Sequence, residues 1–144
     1  MEYIVKKFDE LTTKEFYQLA KVRVAVFVVE QNCPYQEIDE IDPQAWHTYL
    51  RNEEGEILAY TRVYQEGEAI HFGRVLVSPD HRKEGLGKKI VGQTLAFIKE
   101  KFPQKSVVIG AQAYLKEFYG GFGFQAISEV YLEDDIPHMD MELS

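Results

Sequence analysis

Two hydrophobic periods alternate along this chain, and the switches between them mark its elements. Glu2 to Phe8 reads as a short strand. Thr12-Thr13-Lys14-Glu15 has the form of a capping box, in which Thr12 caps a helix and Glu15 reaches back. Phe16, Leu19, Ala20, Arg23 and Phe27 follow at helical spacing. Val22, Val24, Val26 and Val28 alternate as a strand would, and valine favours strands. The cap and the longer helical set decide the conflict and predict a helix to about Val29. Pro34 marks a break, and residues 30–45 read as an irregular acidic segment with one short helix.

Period two then returns. Trp46 to Asn52, Ile57 to Gln65 and Ala69 to Val77 are predicted strands, separated by Glu53-Glu54-Gly55-Glu56 and by a turn at Gly67. Ile57, Ala59, Thr61 and Val63 are expected on one face of the second. The same alternation puts His71, Gly73, Val75 and Val77 on one face of the third, opposite Phe72, Arg74 and Leu76. From Gly85 a helical stripe runs through Leu86, Ile90, Val91, Leu95, Ile98 and Phe102, and Pro103 stops it. Ser106 to Gly110 is a short apolar strand of the buried kind, and a strand–helix–strand unit makes it parallel to 69–77. A second short helix is expected from Ala113 to Tyr119, ended by Gly120-Gly121-Phe122-Gly123. Phe124 to Tyr131 and Pro137 to Glu142 read as a final antiparallel pair joined by Glu133-Asp134-Asp135. The order β-α-β-β-β-α-β-α-β-β predicts an α/β (α+β) sandwich around a mixed sheet of about seven strands.

Composition narrows the function classes. The 144 residues suit one domain spanning 1–144. No apolar run is long enough to cross a bilayer, and the N-terminus lacks a signal-peptide pattern. Cys33 is the lone cysteine, so no internal disulfide forms and a reducing, cytoplasmic location is expected. A net charge of −8 argues against nucleic-acid binding and suits a cationic partner such as an amine, although an acidic surface also simply keeps a protein soluble. No His/Cys cluster has zinc-ligand spacing, so no metal is expected. Nothing in the sequence decides whether the chain forms a homodimer.

One segment departs from this acidic background. An even spread of the 16 lysines and arginines over 144 residues would place one in any nine, yet His81 to Lys89 hold Arg82, Lys83, Lys88 and Lys89. They sit at a helix N-terminus, whose partial positive charge disfavours cations unless an anion binds. Gly85 and Gly87 let the backbone approach such an anion and point free N–H groups at it. A phosphate or pyrophosphate site follows, weighed against a solvated turn with scattered charges. The Gly-Lys-Ser/Thr ending of a nucleotide P-loop is absent.

Arg82-Lys83-Glu84-Gly85-Leu86-Gly87 resembles the Arg/Gln-x-x-Gly-x-Gly/Ala signature of the GCN5-related N-acetyltransferase (GNAT) superfamily. Phe72 to Val77 resembles the strand before it, and the stretch from Ala111 to Phe124 resembles the family's second signature, in which a Phe-Tyr pair precedes Gly-Phe. Val26-Phe27-Val28-Val29-Glu30-Gln31, Gly110-Ala111-Gln112-Ala113 and Asp135-Ile136-Pro137-His138 are similar to the ElaA-type subgroup.

The resemblance implies the acyl-CoA N-acyltransferase fold, with a parallel pair that splays apart, and acetyl-CoA as cosubstrate. Pantetheine would bond to the backbone of Leu76 and Val77. Pyrophosphate would lie on Arg82, Lys83, Gly85, Leu86, Gly87 and Lys88, mostly through main-chain N–H. Gln112 and Tyr119 join the cofactor-binding residues. The implied chemistry is direct attack of a neutral amine on the thioester in a ternary complex. Tyr119 would be the general acid, although its composition alone fits a core tyrosine. A base for the amine is sought among Glu30, His71 and His138. The acceptor would be a small-molecule or peptide amine, with the acidic stretches Glu37, Asp39, Glu40, Asp42 and Glu133-Asp134-Asp135 available to attract a cation. The competing reading is a module that holds acyl-CoA or another phosphorylated ligand without turnover.

Overall fold

The capping box forms as its spacing predicts. Thr12 Oγ1 accepts the Glu15 N–H at 3.0 Å, and Glu15 returns to the Thr12 N–H at 2.8 Å. A computed structural model describes Met1–Ser144, and in it this cap opens α1, Thr13–Val24. The helix continues through Ala25–Glu30, but in wider π turns, with Gln31 N–H bonded to Val26 C=O and Cys33 N–H to Val28 C=O. The helix expected to about Val29 is therefore present. The wide turns carry Val26 and Val28, the last two of the alternating valines, with Val26 buried and the following Val29 71% exposed.

Eight strands build the sheet: β1 Glu2–Lys7, β2 Trp46–Arg51, β3 Ile57–Glu66, β4 Ala69–Val77, β5 Val107–Gln112, β6 Gln125–Ala126, β7 Tyr131–Glu133 and β8 Ile136–Leu143. Their order is β1-β2-β3-β4-β5-β8-β6, with β7 also on β8. All pairs are antiparallel except β4 with β5. Helix α2, Leu86–Lys101, is the crossover between those two. The short α3, Lys116–Gly120, follows β5 after one 3-10 turn at Ala113–Leu115. The β7–β8 hairpin turns on Asp134 and Asp135 alone, both at positive φ (51° and 64°), as a two-residue turn of that kind requires.

The mixed sheet and its parallel pair agree with the sequence pattern, and three details differ. The strand expected over 124–131 is broken into β6 and β7, because Ser128 Oγ takes the Asp140 N–H that a continuous ladder would pair. On β3, an extra residue opposite Leu50/Arg51 turns Ile57 toward α1, away from Ala59 and Val63. On β4, the register slips between Tyr60 and Arg62 of β3, and Arg74 takes φ 51° at the bulge. That bulge overturns the predicted single face for His71, Gly73, Val75 and Val77. Ile70 and Phe72 pack with the α2 core before it, Val75 and Val77 do so after it, and Leu76 turns to the α1 side.

Two apolar layers result. Leu86, Ile90, Val91 and Ile98 of α2 pack on Val63, Phe72, Ile109 and Met141, while Leu19 and Val26 pack on Tyr49, Tyr60 and Leu76 across the sheet. Each such fully buried aliphatic contributes about 2 kcal/mol.

Beside the second layer lies a buried charge network. Arg23 of α1 is wholly inaccessible. It donates to Asp42 at 2.8 Å and 3.2 Å, and to Glu37 Oε2 at 3.0 Å. Arg62 donates to Asp39 at 2.7 Å and 3.0 Å, and to Asp42 at 3.2 Å. The irregular acidic segment is thus a strap with Glu37 and Asp42 buried, and its Glu37, Asp39 and Asp42, expected to attract a cationic acceptor, are instead paired with the protein's own arginines. Its one short helix, at Asp42–Gln44, is a 3-10 turn.

Candidate active site

The parallel ladder between β4 and β5 closes only at Ile70–Val107 and His71–Val108. Beyond these pairs the strands part, and a cleft of about 1150 Å³ runs from the gap to the strap. Ser78 N–H bonds Leu58 C=O at 2.8 Å, so the facing pair Ala59–Val77 is a non-hydrogen-bonded one. Val77's own N–H and C=O therefore turn away from β3 and into the gap. Leu76, Val77 and Gln112 all line it.

At one end of the cleft stands the N-terminus of α2. Gly85 caps it in a left-handed conformation (φ 75°), and no side chain caps it. The first helical bond is Lys89 N–H to Gly85 C=O, which leaves the N–H groups of Leu86, Gly87 and Lys88 without helical partners. Lys83, also at positive φ (70°), turns the chain just before. Arg82, Lys83, Gly85, Leu86, Gly87 and Lys88 all line the cleft, so the basic loop and the gap form one continuous surface. A pyrophosphate fits this donor set.

The two glycines are distinct in their demands. A side chain at Gly85 would meet no atom but would have to hold a left-handed φ, at a cost of about 1 kcal/mol. A Cβ at Gly87 would meet only Val77 Cγ2 at 3.8 Å and Phe118 Cζ at 4.0 Å, which is ordinary contact. Gly85→Ala is expected to lower the melting temperature by about 3 °C and weaken CoA binding about tenfold. Gly87→Ala should melt within about 1 °C of the parent and bind CoA within about threefold. Melting curves and CoA titration of both variants check this. Equal effects of the two would remove the argument from backbone conformation.

At the other end the structure sorts the sequence candidates. Tyr119 is 4% exposed, packed against Phe72, Phe118 and Phe124, and lines the cleft. Burial pushes its phenol well above the ordinary value, with nearby Tyr114 adding to it. It therefore keeps its proton and has one available to donate. His138 also lines the cleft. Its Nδ1 lies 2.7 Å from the Ile136 carbonyl oxygen, which only an Nδ1–H can satisfy, so in the neutral ring Nε2 carries the lone pair. Glu133 lies 3.5 Å from that Nε2.

Glu30 and His71 fare differently. Glu30 is not buried at the end of an apolar helix but half-exposed, with both oxygens on Arg82 at 2.5 Å and 2.6 Å. Arg82 holds its carboxyl below the usual carboxylate range. Arg82 also donates to Val77 C=O at 3.3 Å, so this pair braces the cleft wall instead of standing ready to take a proton. His71 stacks on Tyr64, ring centroids 5.3 Å apart, and does not line the cleft.

The sequence reading passed over Arg74, Arg62 and Tyr114, which line the cleft, and Arg23 behind it. One signal was available: Arg23 sits in the apolar stripe of its helix, where a charge demands buried partners, and the acidic strap supplies them. No group of His, Cys, Asp or Glu side chains is placed to hold a metal ion, and no helix is long and apolar enough to cross a membrane.

Comparison with known proteins identifies the family and the fold. Residues 13–144 match the acetyltransferase (GNAT) domain family. The chain is 43% identical over 145 residues to a UPF0039 protein of Schizosaccharomyces pombe, covering 99% of this chain and 97% of that one. It is 42% identical to Escherichia coli protein ElaA over 92% of this chain and 90% of that one. The crystal structure of E. coli ElaA superposes with a TM-score of 0.94 at 40% identity, covering both chains completely. An acyl-CoA N-acyltransferase from Pseudomonas aeruginosa superposes with a TM-score of 0.94 at 38% identity, again over the whole of both chains.

Proposed function

This chain belongs to the GNAT acetyltransferase family, in its ElaA-like branch, and on that premise we propose that it transfers the acetyl group of acetyl-CoA to a primary amine by direct attack in a ternary complex. The observation that carries the reading is the arrangement of one cleft. An uncapped helix N-terminus, an unpaired phenol and the imidazole of His138 all line one cleft beside a splayed strand pair.

In this reading the diphosphate of CoA rests on the N–H groups of Leu86, Gly87 and Lys88, with Lys83 and Lys88 adding charge. The pantetheine arm follows the edge of β4 past Leu76 and Val77, alongside Gln112. Arg82 serves through its main chain and through the brace to Glu30. Holding both reactants in the cleft removes much of the entropic cost of their meeting. His138 Nε2 takes the proton that the incoming ammonium must lose. The neutral amine then attacks the thioester carbonyl carbon, and the Val77 N–H faces the oxygen as charge develops there. As the C–S bond breaks, Tyr119 gives its proton to the departing thiolate, and the surplus proton on the bonded nitrogen is shed through water and restores the phenol. The products are an amide and CoA thiol. Glu133 and Asp134 at the rim favour an acceptor that arrives as a cation.

The test is binding followed by turnover. CoA at a hundred times its dissociation constant stabilises a protein by about 2.7 kcal/mol, which should raise the melting temperature here by roughly 5–10 °C. A free-thiol assay with acetyl-CoA over a panel of amines then reads transfer. No thermal shift at millimolar acetyl-CoA sinks the whole reading. A shift without thiol release for any amine leaves only a binding module.

A further inference from the structure

Arg74 lines the cleft from the bulge that re-aims β4. It holds φ 51° at the β4 bulge, a region glycine occupies freely and arginine rarely does. Such outliers persist where the surroundings over-determine them, and they concentrate at functional sites. What over-determines Arg74 is the strap. Its Nε donates to Glu37 Oε2 at 2.9 Å, and its Nη2 to the Glu37 carbonyl oxygen at 3.1 Å and to Asp39 at 3.4 Å. Arg23 grips the same two Glu37 oxygens from the buried side. One edge of the Arg74 guanidinium is thus fixed in place.

The other edge is open. Nη1 of Arg74 has no protein partner, its side chain is 24% exposed, and it lines the cleft that holds Tyr119 and His138. Charge does not explain this opening. Arg23, Arg62 and Arg74 face Glu37, Asp39 and Asp42, so the cluster balances and needs no counter-ion. What remains is directional: a planar donor, pinned on one side, presented to the cleft. Arginine held this way is suited to a carboxylate, whose two oxygens match the fork. The same cleft carries Glu133 and Asp134, which suit an ammonium.

The geometry points to an acceptor that carries a carboxylate as well as its amine, an amino acid or a compound of that kind, with Arg74 as the residue that selects it. This rests on the transferase reading above. The experiment compares acceptors that differ only in the carboxylate, lysine against cadaverine and phenylalanine against phenethylamine, by thiol release from acetyl-CoA. The carboxylated member of at least one pair should be preferred in kcat/KM by at least about tenfold, as for a hydrogen bond to a charged group. Arg74→Met should abolish that preference by raising KM for the carboxylated acceptor, while kcat/KM for its partner moves less than about threefold. Arg74→Lys should restore part of the preference. Arg74→Gly, which relieves the positive φ, keeps the comparison available if the methionine variant does not fold. Equal use of both members of every pair overturns the inference and leaves the transferase standing, as does an equal loss on both in the variants. Release of thiol by no amine at all overturns both.

Discussion

Tyr119→Phe should lower kcat about a hundredfold and leave CoA affinity within about twofold of the parent. General acid catalysis is worth roughly a hundred- to ten-thousandfold, and a thiolate leaves well enough unaided to place this case at the low end. The substitution is a clean one. The phenol lines the cleft and has no hydrogen-bond partner in the protein, so removing it strands nothing. The ring stays packed in its edge-to-face contacts with Phe118 and Phe124, so the melting temperature should not move. Thiol release and CoA titration on the same preparation separate the two parameters. A full kcat in the variant would remove Tyr119 from the chemistry and return it to the core.

The second large effect concerns stability. Arg23→Met should destabilise the fold by about 3 kcal/mol, lowering the melting temperature by roughly 10 °C. Methionine fills most of the volume, so the loss is electrostatic. Glu37 and Asp42 stay buried, with only Arg74 and Arg62 left to share them. Adding Glu37→Gln and Asp42→Asn should recover part of the loss, because the stranded charge, not the missing contact, carries most of the cost. A triple variant no more stable than the single one would contradict this.

The same network sets how the fold responds to acid. Burial would raise Asp42 and Asp39, but bonds from Arg23 and Arg62 hold both below the usual carboxylate range. Their stabilisation is present above about pH 4, where the unfolded carboxyls ionise, and is lost as pH falls through the folded values. His47, buried between Tyr60 OH and the Asp42 carbonyl, is depressed by burial. It stays neutral while the unfolded chain protonates near pH 6.5, so its contribution begins to fade below that point. Melting curves should therefore shift downward from about pH 6.5, and more steeply below about pH 4. In Arg23→Met the steeper limb should flatten.

The elements were legible wherever one rule governed a segment. The capping box and the stripe from Leu86 to Ile98 each answer to local geometry alone. The uncapped, glycine-flanked start of α2 was legible for the same reason, and its cations do line the cleft beside the parted strands. What escaped depends on contacts between distant segments. No local pattern says that Arg74 forms a bulge, because its φ is held by Glu37 on the strap. The bulge then reverses the faces of β4, so strict alternation failed from Gly73 onward. Likewise the acidity of 37–42 suggested a surface loop until three arginines from α1, β3 and β4 were seen to neutralise it. Glu30 drew attention as a carboxylate ending an apolar helix, but its partner lies 52 residues away.

The π turns at Ala25–Glu30 bear on how this chain tolerates a change of length. A π turn accommodates one residue more than the α-helical turn it replaces. The surplus is absorbed inside the helix rather than looped out. Loss of Val28 or Val29 would let the segment tighten to ordinary winding, and the shorter chain and the narrower turn would offset each other, so later positions would keep close to their place around the axis. Glu30 would stay within reach of Arg82, and the brace on the Val77 carbonyl would survive. The wide turns are therefore one residue of slack between two halves of the cleft, one anchored in the interior and the other set against the basic loop.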